Sequence, residues 1–374
     1  MNRTAPVHPR RAGASALLAL SMAALAGCAP EVESIGSPSP SASAPAASPG
    51  EPERAAAVFP SGDPQPVATG LTTPWSVAFR GDTAFVSQRD TGEILEIVGT
   101  ETRVVGEVDD VRVGGEGGLL GIATDDTHLY AYATTSDGNR VVRFPLEGAP
   151  GTYSLGAEET VVAGIPSART HNGGRLAFGP DGMLYVTTGD AAERENSQDA
   201  DSLGGKILRV TAEGDVPADN PFPGSPVWTL GHRNPQGIGW DAEGVMWASE
   251  FGQNTWDELN VIEPGANYGW PDVEGIGGDD RYTDPVAQWA PADASPSGLA
   301  VVEGSVLIAN LRGERLRAVS TADPGAAREF FAGEYGRLRD AVLAPDGALW
   351  LVTSDTDRGG GDSDRILRVE LAAS

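Results

Sequence analysis

Of the four histidines in this chain, one stands in a setting suited to proton transfer. His171 occurs in the polar stretch ARTHNGGRLAF, and Asp190 closes the apolar segment that follows, in LYVTTGD. A hairpin joining the two would return the carboxylate to the imidazole, fix its tautomer and raise the basicity of the second ring nitrogen. The same spacing suits a loop-capping histidine and a turn aspartate, and spacing leaves both readings open. His128, in THLYAYA beside Tyr130 and Tyr132, reads as a half-buried structural residue. His232, in LGHRNPQG, reads equally as structural or as lining a site.

Three further groups carry charge or metal-ligating atoms. In GHRNPQGIGW, Arg233 either braces the Asn234-Pro235 turn or presents a fixed, permanently charged fork to an anionic or quinonoid ligand. In EFGQNTWDELN, the backbone carbonyls and acids around Gly252, Gln253, Asn254, Asp257 and Glu258 suit calcium, although not with EF-hand spacing. Solvated loop acids are the competing account. Arg337 and Arg339 in EYGRLRDAV share one face of an extended chain, and Arg312 in NLRGERL precedes them. Together they form either an anion-binding ring or surface pairs for the surplus acids.

That surplus is large: 53 Asp+Glu against 26 Lys+Arg, a formal charge of -27. Such a surface repels phosphate backbones, so nucleic-acid binding is not expected. A single cysteine among 374 residues excludes an internal disulfide, an iron-sulfur cluster and a cysteine-rich zinc site. Oxygen ligands, and hence a hard cation, are what remains.

The elements that must position these groups are strands. With 49 Gly, 28 Pro and 40% hydrophobic residues, the chain is too turn-rich for a helical bundle and too apolar for global disorder. One phrase recurs, an apolar approach followed by an Asp/Gly-rich turn and an aromatic or aliphatic strand. Its clear copies start at Gly173, Pro235 and Leu338, and weaker ones at Thr73, Gly117 and Pro296. Matching outer strands read as EILEIVG, RVVRFPL, KILRVTAEG, ELNVIEPG, RLRAVS and RILRVEL. Six copies at a spacing of roughly fifty residues predict an all-β fold, a six-bladed β-propeller of four-stranded antiparallel blades. A pair of β-sandwiches would match the strand content but not the sixfold recurrence.

Ahead of the repeats, Arg3, Arg10 and Arg11 precede an apolar run from Ala14 to Ala26 that ends in Leu-Ala-Gly-Cys28. Residues 1–27 read as a lipoprotein signal peptide and Cys28 as the lipidated residue. An ordinary signal peptide with an incidental cysteine is the alternative. Residues 28–57 are Ser-, Pro- and Ala-rich and read as a disordered tether, with the propeller occupying 58–374. The expected location is extracytoplasmic, with the membrane touched through the lipid alone.

Taken in order, these phrases resemble the soluble quinoprotein glucose dehydrogenases and related aldose sugar dehydrogenases that use pyrroloquinoline quinone (PQQ). The resemblance covers about Thr73 to Leu371 and rests most on GHRNPQG, GANYGWP and GRLRD in combination. It implies oxidation of an aldose at its anomeric carbon, with an external electron acceptor. By position it implies His171 as general base, Asp190 as its orienting carboxylate and Arg233 on the reacting quinone carbonyl. Asn234, Arg312, Arg337 and Arg339 match cofactor contacts. Gly252 and Gln253 match the carbonyls that hold the cofactor's Ca²⁺, and Glu258 and Tyr268 match a further calcium site. Two departures stand out. Glu116, in GGEGGLLG, replaces the usual glutamine near the cofactor, and Thr170 replaces an acid before the histidine. Glu116 motivates a second expectation, a non-catalytic cell-surface propeller binding carbohydrate or protein. A calcium-dependent lactonase on the same fold would have no evident use for the arginines.

Overall fold

Each recurring phrase folds as an inner hairpin, and the turn between its strands shows why the phrase recurs. Asp125, Asp181 and Asp241 accept backbone N–H bonds within the turn through one carboxylate oxygen. Their second oxygens accept from the polar handles of Tyr130 (2.7 Å), Tyr185 (3.0 Å) and Trp247 (3.2 Å) on the following strand. A turn aspartate and an aromatic a few residues on are therefore one device, which satisfies an otherwise half-buried O–H or N–H. The expected Asp-Gly turns hold, with Gly182 and Gly347 at φ 76° and 83°, where a side chain would be strained.

A computed structural model describes residues 57–358 and 363–373. The leader, Cys28 and the tether up to residue 56 lie outside the described residues. Six antiparallel sheets of four strands form the blades, with one added two-residue strand, Ser154–Leu155, on blade II. Among the described residues there is no α-helix, only two short 3-10 turns. The innermost strands of blades I to VI are Pro74–Arg80, Leu119–Thr124, Leu176–Phe178, Pro235–Trp240, Pro296–Val302 and Leu338–Leu343. Each contacts the next and the sixth contacts the first, closing the ring. The sequence phrases expected as outer strands are instead the third strands. The true outermost strands range from half-buried (Val227–Leu230) to largely exposed (Ala327–Phe330) and carry no repeating apolar signal.

Closure is sealed by Val58–Leu71, which pairs antiparallel with Asp364–Ala373 as the outermost strand of blade VI. The core consists of six apolar clusters, one at each interface between neighbouring blades. On the axis the polar exception is Arg175, which is buried together with Asp340. Its guanidinium donates to Asp340 Oδ2 (2.7 Å), Ser76 Oγ (3.0 Å) and the Gln236 carbonyl (2.8 Å). The Trp75 ring lies 4.3 Å above it. Burial removes water's stabilisation of both charges, pushing the Asp340 carboxyl up and the Arg175 guanidinium down, against their mutual attraction.

Breaking this pair should therefore cost more than replacing it. Asp340→Ala is expected to destabilise the protein by about 3–5 kcal/mol, and the apolar pair Arg175→Met/Asp340→Leu to recover most of that loss. Denaturant unfolding of the single and double variants measures both.

Candidate active site

On the side of Trp75 away from the second cavity lies a cleft of about 290 Å³, close to the lower end of small-molecule sites at roughly 300 Å³. Trp75, Gln236 and Arg339 line it from the first turns of their inner strands, and Phe251 and Leu311 add apolar wall. Its charged lining is Arg89, Arg169, Arg337, Arg339, Glu116 and Asp357. A second cavity of about 340 Å³ opens at the other end of the axis. It is lined mainly by apolar ends of the inner strands and holds none of the expected chemistry.

His171 and Asp190 meet as one of the two readings required. The Nδ1–H of His171 donates to Asp190 Oδ1 at 2.7 Å. Asp190 is fully buried and also accepts from Ala192 N (2.7 Å) and Trp270 Nε1 (2.8 Å). Burial alone would raise its pKa, but the His171 bond and charge, with the Trp270 and Ala192 donors, hold it below the usual carboxylate value. With Nδ1 bearing the proton, Nε2 is the basic atom, and Arg233 Nη2 donates to it at 2.8 Å. The backbone around the dyad is left-handed at His171 (φ 60°), Ala191 (55°) and Ala192 (60°), which costs on the order of 1 kcal/mol each. Glu116 helps to hold it, accepting the His171 N–H at 2.8 Å. The unexpected acid thus has a backbone-anchoring role that a glutamine carbonyl would also serve.

Arg233 is half-buried, with its ordinary pKa lowered by desolvation against the pull of Asp190, Glu116 and Glu250. Its Nη1 donates to the carbonyls of Phe251 (3.1 Å) and Gly252, and its face lies over Trp270. Gln253 takes no part in this. Its N–H donates to Glu274, and its side chain accepts from Arg194. Four successive N–H groups, from Gln253 to Trp256, donate to one oxygen of Glu274, so the loop is wound about that carboxylate. The acids expected in this loop, Asp257 and Glu258, begin the strand Asp257–Ile262 and are buried.

Glu258 and Tyr268 share a cavity of about 10 Å³ with Gly231, Glu250 and Glu274, room for a single water or ion. Burial, then the charge of Glu250, push the Glu258 pKa up to about 8. The Tyr268 hydroxyl points elsewhere, donating to the Val261 carbonyl (2.6 Å), while its ring stacks on His232 at 4.7 Å. His232 is fully buried between Glu250 (2.8 Å) and Thr229 (2.9 Å), which settles it as structural. His128 is half-buried beside Thr127, as expected.

The arginines divide. Arg337 and Arg339 both line the cleft, and both meet Asp357. Arg312 does not; it is exposed on a turn, and its neighbour Leu311 takes the place at the wall. Asn234 stands one contact behind the cleft wall, against Glu116. It is fully buried, accepting Gly173 N–H (2.9 Å) and donating to Glu116 (3.3 Å). Trp270, Glu250, Glu274, Arg89 and Asp357 escaped the residue-level reading. The Trp of GANYGWP was the one signal available, because the acids meet their partners only across the fold.

These donors fit an anionic, planar guest. The Nε atoms of Arg233 and Arg339 are buried without an acceptor, and an unsatisfied buried donor favours a ligand oxygen. For a cation, the Phe251 and Gly252 carbonyls already converge on one positive group. No three acidic or histidine side chains converge on a point among the described residues, so a metal here would draw on carbonyls as well as carboxylates.

The dyad's geometry rests on a close backbone approach. A Cβ built at Gly189 would overlap the His171 carbonyl. Gly189→Ala should therefore leave the propeller folded while losing the low-field Nδ1 proton signal of a histidine bound to a carboxylate, as read by NMR.

Comparison with known proteins agrees with this geometry. The sequence profile of the Glucose / Sorbosone dehydrogenase family matches residues 71–366. The PQQ-bound aldose sugar dehydrogenase of Streptomyces coelicolor superposes with a TM-score of 0.80 at 49% identity, covering 86% of this chain and 100% of that one. A putative oxidoreductase (glucose dehydrogenase) of Thermus thermophilus gives 0.76 at 40%, covering 82% and 99%. Quinoprotein glucose dehydrogenase B of Acinetobacter calcoaceticus is 31% identical over 262 residues, 59% of this chain and 54% of that protein, so the chain spans about half of that relative's length. The chain belongs to the glucose/sorbosone dehydrogenase family.

Proposed function

We propose that this protein is a PQQ- and Ca²⁺-dependent aldose dehydrogenase that oxidises the anomeric carbon of its sugar to the lactone. The observation that carries the reading is the oriented His171–Asp190 dyad beside a cleft lined with guanidinium groups. The relatives named above supply the cofactor class and the substrate class.

The chain's own residues divide the work. His171 Nε2 takes the proton of the anomeric hydroxyl as hydride leaves the carbon. Asp190, kept ionised, stabilises the imidazolium that results. Arg233 occupies Nε2 in this structure, so its guanidinium must turn away to admit a sugar hydroxyl, which frees its fork for a developing negative charge. Arg337 and Arg339 bind carboxylates, and Trp75 and Phe251 cover the apolar faces of a planar ring. PQQ, when bound there, supplies the two-electron acceptor for the hydride. The carbonyls of Gly252 and its neighbours would hold Ca²⁺ at the cleft, and Glu258 with the Tyr268 segment a second ion.

The same reading includes an extracytoplasmic enzyme anchored through lipid on Cys28, supported by the leader and the Leu-Ala-Gly-Cys motif. Cys28→Ser should then release the protein from membranes and abolish incorporation of labelled palmitate.

Reconstitution with PQQ and Ca²⁺, followed by dye reduction with a panel of aldoses, tests the activity. A folded protein that oxidises none of them would overturn it. His171→Ala should lower kcat by at least about a thousandfold while PQQ still binds.

Calcium removal has a definite sign. Glu258 ionises near 4.5 when unfolded and near 8 when folded, so folding takes up a proton in that window. With chelator present, stability should fall as pH rises from about 5 to 8. Added Ca²⁺ should offset the fall. Glu258→Gln should flatten the pH response and lose the response to calcium, as thermal melts would show.

A further inference from the structure

Asp357 stands at the centre of the cationic wall, and nothing in the proposed chemistry uses it. It lies on the 3-10 turn Thr356–Arg358, with its side chain only 5% exposed. Both oxygens face guanidinium groups from two blades. Arg337 donates through Nε (3.2 Å) and Nη2 (3.3 Å), Arg339 through Nη2 (3.1 Å), and Arg89 Nη1 stands 3.9 Å away. None of these contacts reaches the 2.7–2.9 Å of a well-formed charge-assisted bond. One carboxylate is shared loosely between Arg337 and Arg339, while Arg89 stands near it with its own partner in Asp90 at 2.7 Å.

Its position is set by a scaffold independent of those cations. Thr356, the preceding residue, is held by Asp364 through its N–H (3.2 Å) and hydroxyl (2.5 Å). The same hydroxyl accepts from Thr73 N at 2.9 Å. The turn is thus fixed between blades VI and I, and it delivers a carboxylate to the place where arginine forks converge. Arg337 turns its bidentate Nε/Nη2 edge to Asp357, with Nε also reaching the Ser354 carbonyl (3.3 Å), while Arg339 keeps Nε without an acceptor. Buried guanidinium groups this close repel one another. Arg339 is shifted down to about 10, first by burial and then by Arg89 and Arg337, with Asp357 pulling the other way.

We propose that Asp357 is a built-in substitute for a ligand carboxylate, which keeps Arg337 and Arg339 gathered beside Arg89 and must give up the Arg337 edge when a polycarboxylate enters the cleft. The proposal rests on the reading that this cleft takes PQQ. Asp357 is then a positioning residue with two opposed effects, stabilising the unloaded protein and weakening its hold on the cofactor.

The test compares full-length wild type, Asp357→Asn and Asp357→Glu in two assays that need no turnover. One is quenching of tryptophan fluorescence by PQQ, since Trp75 lines the cleft. The other is the thermal shift produced by benzene-1,3,5-tricarboxylate. Asp357→Asn should bind PQQ about tenfold more tightly, a difference of about 1.4 kcal/mol. It should also melt several degrees lower when unloaded and respond more strongly to the tricarboxylate. Asp357→Glu, which keeps the charge, should stay near wild type in binding. Equal or weaker binding of both probes by a folded Asp357→Asn would overturn the proposal and make Asp357 a simple organiser of the arginines. If none of the three bound PQQ while the tricarboxylate difference remained, the cofactor reading would fall and the substitute carboxylate would stand. No response to either probe in any of the three proteins would remove both.

Discussion

A guanidinium on the axis of a ring is a demanding thing to bury, and the blades are arranged about that demand. Arg175 comes from blade III, and its donors are met by Ser76 of blade I, the Gln236 carbonyl of blade IV and Asp340 of blade VI. Each bond fixes the height of an inner strand relative to its neighbours. The residues one step further toward the mouth, Trp75, Gln236 and Arg339, consequently lie at one level and floor the cleft. Trp75 joins the two layers, with Arg175 beneath its ring and Arg339 5.8 Å from it. Stability and site geometry are here consequences of the same desolvated charge.

Charge is organised against the average of the chain. The whole chain carries a formal charge of -27, whereas the cleft concentrates Arg89, Arg169, Arg337 and Arg339, with Arg233 close by against His171. Arg89, Arg337 and Arg339 meet carboxylates, Arg233 meets two carbonyls and His171, and the acids present there, Glu116, Asp190, Glu250 and Asp357, are committed to backbone, imidazole or guanidinium groups. Low dielectric makes every such pairing consequential, so the site is ordered by the mutual satisfaction of groups that would be unstable alone.

What the sequence disclosed follows from the range of the interactions. Inner hairpins were legible because a turn aspartate, a glycine and an aromatic lie within a few residues of one another. The His171–Asp190 pair was legible as one of two readings because a single hairpin joins them. Trp270 meets Asp190 across eighty residues, and Arg175 meets Asp340 across 165, so no local pattern announces either. Arg312 was misplaced for a different reason. In a tight turn the direction of a side chain changes from residue to residue, and Leu311 rather than Arg312 faces inward. Outermost strands were illegible because solvent relieves them of the apolar alternation by which strands are recognised.

The closing strand has a geometric corollary. Val58 pairs with Ala373, at the end of blade VI that also holds Leu343, while Arg337 and Arg339 stand at the opposite end of the same sheet. Both termini of the described propeller therefore leave from the face remote from the cleft. A bead, an electrode or a second domain joined at either end would attach on the side away from the mouth.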